Sequence, residues 1–321
     1  ITGYPERGQL TTIEDGCGKS VGGAVCNVGI DLKRLMPDTE ICALGLVGDD
    51  DSGRYALSVM EDEGVNTSLV GKKGATSFTY VMSDKISRER TFFQYRGANA
   101  HFSEESFNWD DVDCDLLHIA YILLLDELDK EDSEYGTKMA RLLAHAKERG
   151  IKTSIDVVSE TGERFGRLVP PALKYTGYCI INEIEASRST GIPLRADDGA
   201  LIYENVKKVL SKLFELGVSE WAVIHSPEGG FGMDKDGDYA ECGLVYTPSG
   251  FIKGKVGAGD AFCAGVLSAA HRGLPLLDAV KLGNAAATVS LRSPGATEAM
   301  ETIEETMRIC SELGFEPVKL N

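Results

Sequence analysis

The chain has 321 residues, enough for one large α/β domain or two small ones, with a sizeable core. Its 43% apolar content and 36 glycines fit a soluble globular protein rich in turns, and no apolar run reaches the about 18 residues of a membrane span. A formal charge of −17 argues against nucleic acid or an anionic membrane as a partner, and eight scattered cysteines without a C-x-x-C pair argue against zinc or a disulfide framework.

No basic-then-apolar leader opens the sequence, so a reduced cytoplasm is the expected home. Ile1 to Gly23 carries Gly3, Pro5 and Gly8 before Thr11-Thr12-Ile13, which reads as a loop entering a short strand. Gly18-Lys19-Ser20 imitates the end of a Walker A loop. The position five before Gly18 is Ile13 rather than glycine, and no apolar strand precedes it, so that reading fails. Gly22-Gly23 begins a glycine turn that enters a helix running to about Leu35.

The apolar run Ile41 to Val47 has the character of a buried parallel strand. Gly48-Asp49-Asp50-Asp51-Ser52 then caps a helix over Gly53 to Glu63. Two alternating stretches, Thr76 to Val81 and Arg90 to Tyr95, follow as strands around a polar turn. Leu116 to Leu125 is a strand with its end loop, where His118 among apolar neighbours reads as a core histidine rather than a catalyst. Glu131 to Arg149 reads as helix and Ile151 to Asp156 as strand, with Asp156 at the strand end where open α/β sheets place ligands.

Tyr178 to Ile181 is a strand running into Asn182-Glu183-Ile184-Glu185. The amide and carboxylate of that segment, three apart on a helical turn, share a face and suit water-mediated magnesium and phosphate contacts. A helix over Ala200 to Leu216 leads to the strand Trp221 to Ile224 and the turn Ser226-Pro227-Glu228-Gly229. Gly230 to Val245 reads as one or two edge strands around Asp236-Gly237.

Gly257-Ala258-Gly259-Asp260 then opens a helix whose small and apolar residues recur at helical spacing. A glycine turn at a helix start leaves free N–H groups and a positive dipole end, a combination that suits an anion. Asp260 in that first turn lies within reach of whatever the anion is attached to. An anion hole beside a carboxylate base is what phosphorylation of a hydroxyl needs. Asn284-Ala285-Ala286-Ala287 lies on the helix after it.

Gly257-Ala258-Gly259-Asp260-Ala261-Phe262 with Gly265 resembles the C-terminal signature of the PfkB, ribokinase-like family of carbohydrate kinases. Gly22-Gly23-Ala24-Val25-Cys26-Asn27 resembles its N-terminal Gly-Gly-x-x-x-Asn signature, and Asn182 to Glu185 its Asn-x-x-Glu motif. Three motifs in order cover essentially the whole chain. They specify the family and leave the sugar open.

The resemblance implies a ribokinase-like α/β fold: a mainly parallel sheet with helices on both faces over 21–75 and 101–321, and a small β lid from 1–20 and 76–100. It implies an ATP-dependent sugar kinase with Asp260 as general base and Gly257, Ala258 and Gly259 as anion hole. Gly22, Gly23, Asn27 and Arg96 would hold the sugar. Asn182, Ser226, Gly229 and Asn284 would hold the nucleotide, with Glu185 and Asn182 reaching Mg2+ through water. The lid of such proteins often pairs subunits, which implies a homodimer. Two points stand out: Gly254-Lys255-Val256 stands where members usually carry Asp-Thr-x, and the apolar first strand with its sugar-binding Asp is not in the sequence, either because the sequence is clipped or because the protein departs there. The first places Lys255 where many members hold a monovalent cation, and implies independence of potassium. The alternatives are a nucleoside kinase of the same family, with Phe93 as the purine-stacking aromatic, or a catalytically inactive sugar-binding protein.

Overall fold

A computed structural model describes residues 1, 3–13, 16–84, 90–159, 162 and 164–318. In chain order it contains α1 (Ala24–Leu35), β1 (Cys42–Val47), α2 (Asp51–Asp62), β2 (Asn66–Lys72), β3 (Phe78–Ser83), β4 (Arg90–Tyr95) and β5 (Leu116–Ile122). A small hairpin of β6 (Glu131–Asp132) and β7 (Gly136–Thr137) precedes α3 (Lys138–Glu148). Then come β8 (Lys152–Val157), α4 (Phe165–Leu173), β9 (Tyr178–Asn182), α5 (Glu183–Thr190), α6 (Val206–Glu215) and β10 (Trp221–Ser226). The chain closes with β11 (Gly229–Asp234), β12 (Tyr239–Gly243), α7 (Ala258–His271), α8 (Leu276–Ser290) and α9 (Ile303–Leu313).

Six strands form one mixed sheet in the order β12-β11-β10-β9-β8-β5. The run β5, β8, β9, β10 is parallel, and β11 and β12 add an antiparallel edge. The period-2 alternation of the buried strands sorts their side chains to two faces. Ile181 and Ile224 join Leu142, Leu168 and Val209 of α3, α4 and α6. Ile180 and Val223 join Val28, Phe262 and Val280 of α1, α7 and α8. β1 and β2 pair in parallel as a separate sheet, and α1 contacts both β1 and β5. α7 and α8 lie close together, because a Cβ on Gly265 would sit 2.6 Å from the Leu282 carbonyl oxygen.

Three local expectations need correction. Thr11-Thr12-Ile13 form no strand; Pro5 lacks an N–H, and the segment is tied to β3 by single bonds from the Ile1 ammonium to the Ser83 carbonyl (3.0 Å) and from the Tyr4 hydroxyl to the Met82 carbonyl (3.2 Å). The helix expected from Glu131 begins only at Lys138. Asp132 accepts from the Glu134 and Tyr135 N–H groups to make a turn, and Thr137 caps the helix by accepting from the Ala140 N–H. The helix expected from Ala200 begins at Val206, after a short 3-10 turn over Tyr203–Asn205. The two alternating stretches, by contrast, form strands as expected, paired antiparallel with Tyr80 opposite Phe93 and Phe78 opposite Tyr95.

Candidate active site

Parallel strands end together, so the sheet delivers Tyr121 of β5, Asp156 of β8, Asn182 of β9 and Ser226 of β10 to one edge. The start of α7 is set against that edge. Gly257 holds φ +74°, and a Cβ there would lie 2.7 Å from the Ala296 Cβ, so the turn requires glycine. The N–H groups of the first turn, Gly257 to Gly259, have no partner further back in the helix, and no side-chain cap takes them.

Asp260 lies in that first turn and is 8% exposed. Its Oδ2 accepts from Asn27 Nδ2 at 2.8 Å, and its Oδ1 from the Tyr121 hydroxyl at 2.5 Å. Burial raises the carboxyl above its ordinary range, while the two hydrogen bonds favour the ionised form. The result is a carboxylate more basic than a surface aspartate and held in a fixed orientation, which is what a general base requires. Asp156 shares the neighbourhood. Burial and the facing Glu185 and Asp260 carboxylates push it well up.

Asn27 stands on α1, which enters through Gly22 and Gly23. Gly23 has φ +81°, and a Cβ on either glycine would meet nothing within 4 Å, so the turn leaves open space above it. Arg96 directly follows β4 and is ion-paired with Asp126.

Asn182 and Glu185 form a capping box on α5. Asn182 Oδ1 accepts from the N–H groups of Ile184 and Glu185, and Glu185 Oε2 accepts from the Asn182 N–H at 3.0 Å. Ser159 Oγ donates to Glu185 Oε1 at 2.8 Å, and burial lifts this carboxyl to about 7. No group of three metal-ligating side chains exists among the described residues.

At the end of β10, Ser226 Oγ donates to Glu228 Oε2 at 2.8 Å, and Glu228 pairs with Arg195 at 2.6 Å. Gly229 cannot carry a Cβ, which would lie 2.5 Å from the Cys242 carbonyl oxygen. Asn284 is buried and gives its amide to the Cys242 and Gly243 carbonyls at 2.8 and 3.0 Å, tying α8 to the end of β12. His118 is a core histidine as expected: its Nδ1 meets Ser154 Oγ at 3.0 Å, and burial lowers its pKa to about 4. Lys255 is exposed and makes no ion pair with a described residue.

Sequence reasoning missed Tyr121 and Asp31. Tyr121 was findable as the polar residue ending a buried strand. Asp31 carried no signal beyond its place one turn after Asn27.

The model for the pfkB family carbohydrate kinases matches residues 3–303. The chain is 24% identical over 303 residues to the 5-dehydro-2-deoxygluconokinase of Geobacillus thermodenitrificans, covering 89% of this chain and 83% of that one. It is 24% identical over 299 residues to the ribokinase of Schizosaccharomyces pombe, covering 91% and 86%. The fold matches that of Giardia lamblia ribokinase with a TM-score of 0.75 at 17% identity, covering 96% and 94% of the two chains. With a phosphotransferase family matched over nearly its whole length and a ribokinase fold around Asp260, the chain belongs to the pfkB family of carbohydrate kinases.

Proposed function

We propose that the protein transfers the γ-phosphoryl group of ATP to a hydroxyl of a small sugar, with Asp260 as the general base. The observation that carries the reading is a buried carboxylate, fixed by Asn27 and Tyr121, in the first turn of a helix whose N-terminal N–H groups are free for phosphate oxygens. Asp260 takes the hydroxyl proton as the new O–P bond forms. The N–H groups of Gly257, Ala258 and Gly259 hold the charge of the transferred group while the bond to ADP breaks.

Gly22, Gly23 and Asn27 border the sugar, and Arg96 reaches it by exchanging Asp126 for the substrate. The end of β10 with Ser226 and Gly229 borders the nucleotide, and Asn284 acts there by fixing β12. Asn182 and Glu185 orient the water shell of magnesium, which supplies charge neutralisation on the phosphates when bound. Residues 1–20 and 76–100 serve as the lid over the domain formed by 21–75 and 101–321. Exposed aromatic side chains on β3 and β4 support pairing of two copies through it. Eight unpaired thiols support residence in a reducing cytoplasm.

Replacing Asp260 by Asn keeps the shape and removes the base. The kcat of this variant is expected to fall roughly 100-fold or more, with the ATP dissociation constant little changed. Near-normal turnover would refute the assignment.

A further inference from the structure

α1 carries two polar side chains one turn apart on the same face, Asn27 and Asp31, both packed inside the molecule. Asn27 is 6% exposed and Asp31 is fully buried. Asn27 Nδ2 is engaged with Asp260, but Asn27 Oδ1 and both oxygens of Asp31 have no hydrogen-bond partner. A buried polar atom without a partner is costly, and an ionised carboxylate without a donor is costlier still. These atoms belong to side chains one turn apart on one face of α1, and none of them is a donor while Asp31 is ionised. A neutral carboxylic acid owns a single O–H donor, and the nearest buried acceptor lacking a donor along the helix is Asn27 Oδ1.

We propose that Asp31 is a protonated positioning residue, whose O–H donates to Asn27 Oδ1 and thereby turns the Asn27 amide so that Nδ2 faces the base Asp260. An amide is ambiguous by a half turn; the Asp260 carboxylate selects one orientation from the nitrogen side, and a donor on the oxygen side holds the same orientation from the other end. The charged groups around Asp31 agree. Burial comes first, then the facing Asp260 of α7; Glu298 and Glu63 add further negative charge, and only Arg34 opposes them, so the carboxyl is pushed up to about 9. Arg34 itself is engaged with Glu63 at 2.6 Å and with the carbonyls of Thr297 and Glu298. The inference rests on Asp260 being the base and deepens that reading.

The test uses the full chain and two variants. In an infrared difference spectrum of wild type minus Asp31→Asn at neutral pH, the C=O stretch of a protonated carboxylic acid is expected; a difference containing only ionised carboxylate bands overturns the proposal. Asn at position 31 can still donate to Asn27 Oδ1, so Asp31→Asn is expected within about threefold of wild-type kcat, with the acid limb of kcat/KM unmoved. Asp31→Leu loses the donor, and kcat is expected to fall about tenfold while the acid limb moves to higher pH, because Asp260 loses the bond that favoured its ionised form. If Asp31 is ionised instead, Asp31→Asn removes a repelling charge and the limb moves to lower pH, which overturns the proposal.

Thermal melting gives a readout independent of activity. Folding raises the pKa of this carboxyl from 3.8 to about 9, so its stabilising share is complete below the lower value and is lost as pH climbs through the upper one. The Tm advantage of Asp31→Asn over wild type should therefore widen across that interval. A gap that stays constant with pH overturns the proposal even if Asp31→Leu fails to fold. A missing infrared band would sink Asp31 alone, whereas an active Asp260→Asn variant would sink the base and leave the band in place.

Discussion

The edge of the sheet at α7 and the hairpin β3–β4 are opposite solutions to placing side chains. At the edge, Asp260 is buried and each carboxylate oxygen has a donor, supplied by helix α1 and strand β5. On the hairpin, Phe78, Tyr80, Phe93 and Tyr95 share one face and are 43%, 62%, 56% and 48% exposed. Two strands cannot bury that face by themselves. In the first region the donors to the carboxylate come from within the chain, and in the second the aromatic face stays open to solvent.

That contrast can be broken from either side. Asp260→Asn, with the hundredfold loss expected of a missing base, should leave the oligomeric state unchanged in sedimentation. If two copies pair through the hairpin as proposed, the double variant Tyr80→Ser with Phe93→Ser should do the reverse: the copies separate, kcat falls only several-fold, and the melting of the α/β domain hardly moves. A variant that stays paired would assign the aromatic face to the sugar side alone. The smallest expected effect concerns Lys255. Replacing potassium by a large organic cation should leave the rate unchanged if the exposed Lys255 ammonium takes the cation's part, and a steep loss would exclude that role.

Much of the edge was legible in the sequence because its signals are local. Gly23 and Gly257 at positive φ mark the starts of α1 and α7 within one residue, and the spacing of Asn182 and Glu185 is that of a reciprocal cap. Strands β3 and β4 were legible for the same reason, by alternation. What escaped was assembled at long range. Tyr121 meets Asp260 across 139 residues of sequence and Asn27 meets it across 233, and no spacing rule spans such distances. Asp31 escaped for another reason: a carboxylate within an amphipathic helix normally faces water, and only the packing of α1 against α7 reveals this one as buried. The false strand at Thr11 to Ile13 shows the converse, since β-prone residues form no strand without a neighbouring ladder to join.

The reading of the whole molecule turns on whether a sugar hydroxyl is the acceptor. The most direct measurement is ADP release by the purified protein with ATP and magnesium against a panel of small sugars and nucleosides, with phosphorylated product quantified beside it. The account predicts turnover on a sugar, with one ADP formed per phosphorylated sugar and little release when the sugar is omitted. Turnover confined to nucleosides, or silence across the sugars, would contradict it.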